Sequence, residues 1–539
     1  MTFSAWLSDT DRRFYPDSPA EARQSLTRDY ARNERFSFQV LVREDEGAPR
    51  RVAVEATVPE GWEVRVRRIG YVPVAHANTG AEDAPEEAEV GRGLPGYVPD
   101  PLLPEQGLLL AHGETHGFWV SVRPAAGAEP GRHAVRVTVS QEGGRPRRLT
   151  YTALLHAVSL EPRRDFHITH WFYADSLVAQ YGVRAFSEEF WTICERYVAD
   201  YASHGCDVLY VPAFTPPLDG VKLPTQLLTV TREADGGWQL DWTRVRRWLA
   251  MARRHGITHF EWVHPFTQWG VRHAIRIYEG ECQEDERLVF PDGTPATSPE
   301  YRAFLAQYCD ELHGLLQEEG ILETSYFHVS DEPHGDEHKA NYRAAREMLR
   351  QIAPWMRTMD ALTDIAYGRE GLTDLPVPSI TTAVSFVEEG IPCWCYYCCG
   401  PRGRYLNRLL DTPLPKIWMH GVLFYRWPFG GFLHWGYNYW FQSQTRNLVD
   451  VYTCQDGRAW PGWAYGDTCV VYPGADGAPV DSLRWEIFSE SLQDYQLLQT
   501  LGVGRDDPAF REVRGFSDFP KDSGWRLRLR RRLLKAGGR

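Results

Sequence analysis

Between about residues 35 and 160 apolar and polar residues alternate in short runs, FSFQVLV, VAVEATV, WEVRVRRIGYV, GFWVSVRP, HAVRVTVS and LTYTALLHAVSL, punctuated by Gly, Pro and Asn. Period-two alternation places successive side chains on opposite faces. Runs at this spacing, with no helical stretch between them, predict an antiparallel β-sandwich. The Glu-, Pro- and Gly-rich segment from Asn78 to Gly107 reads as a long loop. The pattern stops near Glu161 to Asp165, EPRRD, dividing a sandwich over residues 1–162 from a second domain over 163–539.

Past that boundary apolar runs of strand length alternate with helical periodicity. Eight candidate strands occur in order: 166–174, 207–214, 258–266, 325–332, 356–362, 380–386, 393–399 and 431–440. The clearest helices are SEEFWTICERYVADYASHG, with Ser187 as N-cap and Gly205 as stop, TRVRRWLAMARRHG, ending at Gly256, and PEYRAFLAQYCDELHGLLQEEG, ending at Gly320. Strand, helix and parallel strand repeated eight times predict an α/β fold, a (β/α)8 TIM-like barrel. The helices after the fifth and sixth strands are the poorest. A doubly wound open sheet is the alternative, but no GxGxxG follows the first strand. After the eighth strand, SLRWEIFSESLQDYQLLQTLG is a helix placed to seal the barrel, and the Arg-rich end RLRLRRRLLKAGGR reads as a solvated, frayed helix.

Composition narrows the function. A net charge of −13 argues against nucleic acid, whose binding calls for a basic patch. MTFSAWLSDTDRRFY lacks the features of a secretory signal and no run of about 18 apolar residues occurs, so a soluble, cytoplasmic chain is expected, with no membrane partner. Ten cysteines without the even spacing of a disulfide framework are expected to be reduced and mostly buried. The 20 Trp, 26 Tyr and 24 Phe are an unusual content; part of it is core, but exposed Trp and Tyr faces are also platforms for the apolar faces of sugar rings, so composition leans toward carbohydrate.

The candidate chemistry lies in FHVSDEPHGDEH, residues 327–338. Within a sheet an adjacent Asp–Glu pair would bury at least one charge, at several kcal/mol. In the strand count, Asp331 and Glu332 instead fall at the C-terminal end of the fourth strand, where barrel enzymes place their catalytic groups. Pro333 is expected to hold Glu332 extended and to stop the strand, turning both carboxylates to the mouth. His328, Asp331, His334, Asp336 and His338 lack the HExxH spacing and would spread over both faces of a strand, so no metal is expected. CWCYYCC reads as a packed buried strand rather than a zinc site, and no cofactor is expected.

These segments carry a resemblance. SDEP, CWCYYCCGP followed by GRYLN, GFLHWGYNYW and GDTCVVYPGADGAPVDSLRWEIFSESLQDYQLL, in this order over roughly residues 165–500, resemble glycoside hydrolase family 123 and the wider group called domain of unknown function 4091. The resemblance implies a β-sandwich before the barrel and removal of terminal β-linked N-acetylgalactosamine by substrate-assisted catalysis. By it, Asp331 would hold and polarise the 2-acetamido group, whose carbonyl oxygen attacks the anomeric carbon. Glu332 would protonate the leaving oxygen and then activate water. The substrate then supplies the nucleophile, so no second carboxylate need flank the bond. Glu332 would carry the proton, favoured by the neighbouring Asp331 charge, and Asp331 would stay ionised. His328 or His334 is a candidate to hold one carboxylate. Trp394 and Tyr396 on the seventh strand and Trp435 and Asn438 on the eighth would form the sugar's walls and hydroxyl contacts, with Trp171, Asp175 and His264 as further binding candidates. Two alternatives stay open: a glycosidase for a non-acetamido sugar with Asp360 or Asp175 as second carboxylate, and a non-catalytic carbohydrate-binding protein.

Overall fold

The computed structural model describes residues 3–76, 96–215, 222–234, 236–454 and 463–538. The N-terminal part is built of β1 (Phe3–Ser8), β2 (Ser25–Ala31), β3 (Phe36–Glu44), β4 (Arg50–Thr57), β5 (Glu63–Val74), β6 (Gly96–Leu103), β7 (Gly107–Leu110), β8 (Thr115–Arg123), β9 (Gly131–Gln141) and β10 (Arg147–His156). They form two five-stranded sheets, β1-β3-β8-β5-β6 and β2-β10-β9-β4-β7. Pairing is antiparallel except between β2 and β10. The alternation seen in the sequence is the inward set: Phe38, Val40 and Val42 of β3 share a core with Val135, Val137 and Val139 of β9. Two strands, β1 and β2, precede the first run recognised by pattern.

The long loop expected from Asn78 to Gly107 needs correction. Residues 78–95 lie outside the described residues, but β6 and β7 occupy most of the remainder. Val98 and Leu102 are buried, and Pro99 and Pro101 are accommodated because β6 is an edge strand, where a missing N–H costs no ladder bond.

The second part is mixed α/β. Its strands are β11 (His167–His170), β12 (Val208–Val211), the hairpin β13 (Thr229–Arg232) and β14 (Trp238–Asp241), β15 (His259–Trp262), β16 (Ser325–Phe327), β17 (Met359–Ala361), β18 (Leu375–Val377), β19 (Cys395–Tyr396), β20 (Gly431–His434), and the hairpin β21 (Val471–Pro473) and β22 (Pro479–Asp481). Six of them make one parallel sheet in the order β16-β15-β12-β11-β20-β19, and β17 and β18 form a separate parallel pair. Single parallel bridges, Phe327 to Thr358 and Ser379 to Tyr396, run from β16 and β19 to the flanks of that pair.

The sixth strand is β18, not 380–386. There Ala383 and Phe386, three apart and both buried, are the inner face of a short helix, Ala383–Glu388. Helix starts follow their caps: the hydroxyls of Ser187, Ser298 and Ser482 accept from the backbone N–H groups of Phe190, Tyr301 and Trp485.

Helix Leu483–Thr500 is buried on nearly every face because it lies between the two parts. Arg484 pairs with Asp100 at 2.9 Å, and Arg67 reaches Glu486 at 2.5 Å as well as Asp481. The Arg-rich end is also corrected. Ser523–Gly537 is a helix whose Arg526 and Arg530 are buried, the first on Asp494 at 2.5 Å, the second on Asp494 and Glu34 of the sandwich. A net-charge reading of the tail misses this, since both arginines face carboxylates distant in sequence. The ten cysteines are free thiols, six of them buried and Cys282 exposed. Among the described residues no helix is long and apolar enough to cross a membrane.

Candidate active site

The site is built where β16 leaves the sheet. The Asp360 carboxylate, just past the bridge at Thr358, accepts from the backbone N–H groups of Val329 (3.0 Å) and Ser330 (3.2 Å) and from the Tyr342 hydroxyl (2.5 Å). These bonds steer the chain outward, so that Asp331 and Glu332 emerge above the strand end. Trp269 N–H then donates to the Asp331 carbonyl (2.9 Å) and Glu332 N–H to the Ala361 carbonyl (3.1 Å). Between these anchors Glu332 has φ 44°, in the left-handed region rather than the extended conformation expected before Pro333. Such backbone costs a non-glycine residue roughly 1–3 kcal/mol and persists only where neighbours over-determine it.

Both carboxylates open on one cleft of about 640 Å³, counting the part continuous with solvent. Trp171, Trp269, Trp435 and Trp463 form much of its wall. Tyr396 donates its hydroxyl to Glu332 Oε1 at 2.7 Å, and Gln268 Nε2 donates to Asp331 Oδ2 at 3.1 Å. The indole N–H groups of Trp435 and Trp463 both donate to Asp467 Oδ2, at 2.8 and 2.9 Å, which fixes two of the rings. The carbonyl oxygens of Gln268 and Gln444 line the same cleft, buried and without a hydrogen-bond partner among the described residues.

Beneath the cleft lies a buried ionic ladder. His328 sits between Glu261 (Nε2 to Oε1, 2.6 Å) and Asp360 (Nδ1 to Oδ1, 3.3 Å). Burial alone would lower its pKa, but the bonds to Asp360 and Glu261 hold it at about 9, so the ring is an imidazolium at neutral pH. Glu261 also accepts from Trp171 Nε1 (2.7 Å) and Thr169 Oγ1 (2.5 Å), locking a third indole of the wall. His264 stacks on His328 with ring centroids 3.9 Å apart; burial, then the neighbouring charge, push it well below the usual histidine range. The side chains of His264, His328 and Asp360 lie close enough to share an ion. With both ring nitrogens of His328 committed to carboxylates, this donor set fits a caged imidazolium instead.

The expected proton site is Glu332, with Asp331 ionised. In this structure burial first, then the charge of Glu332, push the Asp331 carboxyl well above the usual range, against the attraction of His328. The reason is depth: Asp331 is buried above the Glu261–His328–Asp360 ladder, while Glu332 is half-buried at the mouth.

Of the residues singled out by sequence, Asp331, Glu332, Trp171, Tyr396 and Trp435 line the cleft together. His328 and His264 lie below it. Neither His328 nor His334 holds the carboxylate of Asp331 or Glu332: His328 serves the ladder, and His334 is exposed, with Nδ1 3.1 Å from the Glu332 carbonyl. Trp394 does not reach the cleft. It packs on Tyr326 and His167 at the opposite end of the strands, against Gly430 and Gly431, because each residue back along a strand descends about 3.3 Å. Asn438 is buried without cost, its carboxamide bonded to both the N–H (2.9 Å) and C=O (3.0 Å) of Tyr173. Asp175 opens helix Ala174–Tyr181, outside the cleft lining, where burial, opposed by Lys222, raises its pKa to about 6.

Gln268, Trp269, Cys398, Gln444 and Trp463 also line the cleft and are not singled out by sequence. For the first two a signal exists: FTQWG directly follows the third strand, the same kind of position that marks Asp331 and Glu332.

The catalytic-domain model of glycoside hydrolase family 123 matches residues 171–501. A solved structure of a family 123 glycoside hydrolase from Clostridium perfringens, described as giving the details of glycolipid glycan hydrolysis, superposes with a TM-score of 0.72 at 12% identity, covering 100% of this chain and 97% of that one. That likeness is one of fold. A Bacteroides ovatus family 5 xyloglucanase in complex with a XXXG heptasaccharide (TM-score 0.29, 9% identity, 88% and 98% covered) and an Ig-like-domain-containing family 10 xylanase from termite gut (0.33, 10%, 70% and 90%) are too distant to carry an argument. No curated protein matches the chain.

Proposed function

This chain belongs to glycoside hydrolase family 123 and is a glycoside hydrolase, and we propose that it removes a terminal β-linked 2-acetamido sugar, N-acetylgalactosamine-like, with retention, the acetamido group of the substrate acting as nucleophile. Glu332 protonates the glycosidic oxygen while the acetamido carbonyl oxygen attacks the anomeric carbon and the bond to the aglycone breaks. Asp331 accepts from the acetamido N–H and offsets the positive charge that develops on the cyclised intermediate. Glu332, now a carboxylate, takes a proton from the water that opens this ring and restores the acetamido group.

One observation carries the reading: among the described residues the carboxylates lining the cleft are Asp331 and Glu332, adjacent in the chain. A protein nucleophile would require a partner about 5 Å across the bond from the acid, and an inverting base a somewhat wider gap. Asp360, a candidate for that partner, is fully buried under His328 and Tyr342, and Asp175 is outside the lining. The tryptophan walls suit the apolar face of a sugar. The strands around the site read as a (β/α)8 barrel: the six-stranded sheet and the β17–β18 pair are joined on both sides by single bridges, which supports closure with the cleft at the C-terminal mouth. The action of the Clostridium perfringens relative on glycolipid glycans makes such glycans candidate natural substrates.

A panel of aryl β-glycosides with and without the 2-acetamido group, with the anomer of the released sugar followed by NMR, tests the proposal. Turnover confined to 2-acetamido glycosides, with the β-anomer released first, is expected; turnover of the unsubstituted glycosides alone would overturn it. Tyr396→Phe removes the bond to Glu332, and because hydrogen bonds to charged groups contribute about 1.5–3 kcal/mol, kcat/KM is expected to fall roughly 10- to 100-fold with the melting temperature little changed. Unchanged kinetics would remove Tyr396 from the mechanism.

A further inference from the structure

Only the first half of CWCYYCC is the packed strand that its pattern predicts. Cys393 and Cys395 are buried, but β19 ends at Tyr396, and Cys398 and Cys399 follow it half-buried. Cys398 lines the cleft, and its sulfur is 3.8 Å from that of Cys399. Backbone bonds hold the pair in place. Cys398 N–H donates to the Gly400 carbonyl (3.0 Å), the Cys398 carbonyl accepts from Asn407 Nδ2 (3.0 Å), and the Cys399 carbonyl accepts from Arg402 Nε (2.7 Å).

Neighbouring cysteines are poorly placed for a disulfide, because adjacent Cα atoms are about 3.8 Å apart and a disulfide normally spans roughly 4.4–6.8 Å. Oxidation also starts from a thiolate. The bond to the Cys399 thiol, then burial, push Cys398 well above the usual thiol range, and the charges of Asp467 and Glu332 add to this. The pair is therefore kept as a dithiol. A single bridging atom makes no such demand on the backbone: with bonds to sulfur of about 2.3 Å and angles between a right angle and the tetrahedral value, it holds two sulfurs roughly 3.3–3.8 Å apart.

Among the described residues no histidine or carboxylate joins the two sulfurs in a set close enough to share a metal ion. A divalent metal would find two ligands, whereas an arsenic(III) centre that already carries one carbon substituent needs two. We propose that Cys398 and Cys399 form a dithiol site for monosubstituted trivalent arsenicals, and that its occupation blocks the glycosidase cleft. The oxide condenses with both thiols: two As–S bonds form, the bonds from arsenic to oxygen break, and the oxygen leaves as water with the two S–H protons. Arsenic stays trivalent, so no oxidant or reductant takes part, and thiols held protonated are the form consumed. Because Cys398 is part of the cleft wall and the Glu332 charge reaches its sulfur, arsenic and its organic substituent take space that the sugar needs. The blocking rests on hydrolysis taking place in this cleft; the binding does not.

Phenylarsine oxide added to the full chain tests this, with the adduct read by intact mass and the effect read as turnover of whichever glycosides the parent cleaves. One phenylarsenic group per chain, with loss of one water, is expected. Turnover is expected to be lost with it, and to return with dimercaptopropanol but not with a monothiol at the same thiol concentration. Cys399→Ser is expected to keep parental turnover and to bind the reagent at least about 100-fold more weakly, because the second thiol acts at high effective concentration. Cys399→Ala gives the same readout should the serine variant fail to fold. A parent chain that stays unmodified, or an adduct that persists at equal affinity in both variants, overturns the site. An adduct formed at full activity overturns the blocking. The mass readout needs no turnover, so failure of the glycosidase reading is told apart from failure of the site.

Discussion

Glu332→Gln is expected to lower kcat at least about 100-fold on a 2-acetamido glycoside with an unactivated leaving group, the usual cost of removing general acid–base catalysis. The carboxamide is nearly isosteric and its oxygen can still accept from the Tyr396 hydroxyl, so the loss reports proton transfer rather than collapse of the turn at φ 44°. On an aryl glycoside with an acidic phenol the first step needs little protonation. There the variant should release a rapid burst of phenol and then slow, because opening of the cyclised intermediate still needs a base. Stopped-flow release of the phenol together with steady-state turnover separates the two steps. Near-parental steady-state rates on both substrates would mean that the acid/base lies elsewhere, and the roles given to Asp331 and Glu332 would fall together.

How far the sequence carries depends on whether a side chain's partner is near or far along the chain. The place of Asp331 and Glu332 on the cleft is legible because its signal is local: a β-branched run ends, a proline follows, and the count of strands puts them at the end of the fourth. The φ of Glu332 was not, because it is imposed by the Ala361 carbonyl and by the loop holding Trp269, which no local rule supplies. Asn438 and Arg530 illustrate the same limit. A buried carboxamide reads as a ligand contact until the Tyr173 backbone is seen to satisfy it, and a basic tail reads as solvated until Glu34 and Asp494 are seen across it. Trp394 fails for a different reason. Alternation tells which face a residue is on, but height along a two-residue strand decides whether it meets the cleft or the packed floor.

The depth that separates the two carboxyls leads to the second large effect. Asp331→Asn should cost roughly 100- to 1,000-fold in kcat/KM on 2-acetamido substrates, comparable to losing one preorganised electrostatic contact to the developing charge. An inhibitor that mimics the cyclised intermediate should weaken in parallel, since the same contact holds both. The pH profile gives a readout that mere loss of folding would not. Burial and Glu332 raise the Asp331 pKa, and its carboxylate is the form the mechanism uses. Activity should therefore rise with pH through a value above the ordinary aspartate range, instead of being already half developed near pH 4. This acid limb of kcat/KM reports the free enzyme, and it should disappear or move markedly in the Asn variant, which lacks the Asp331 carboxyl. An unchanged limb would assign that titration to another group. Unchanged affinity for the cyclised mimic would show that Asp331 does not hold the acetamido group, leaving Glu332 to act without the neighbour that its position in the chain provides.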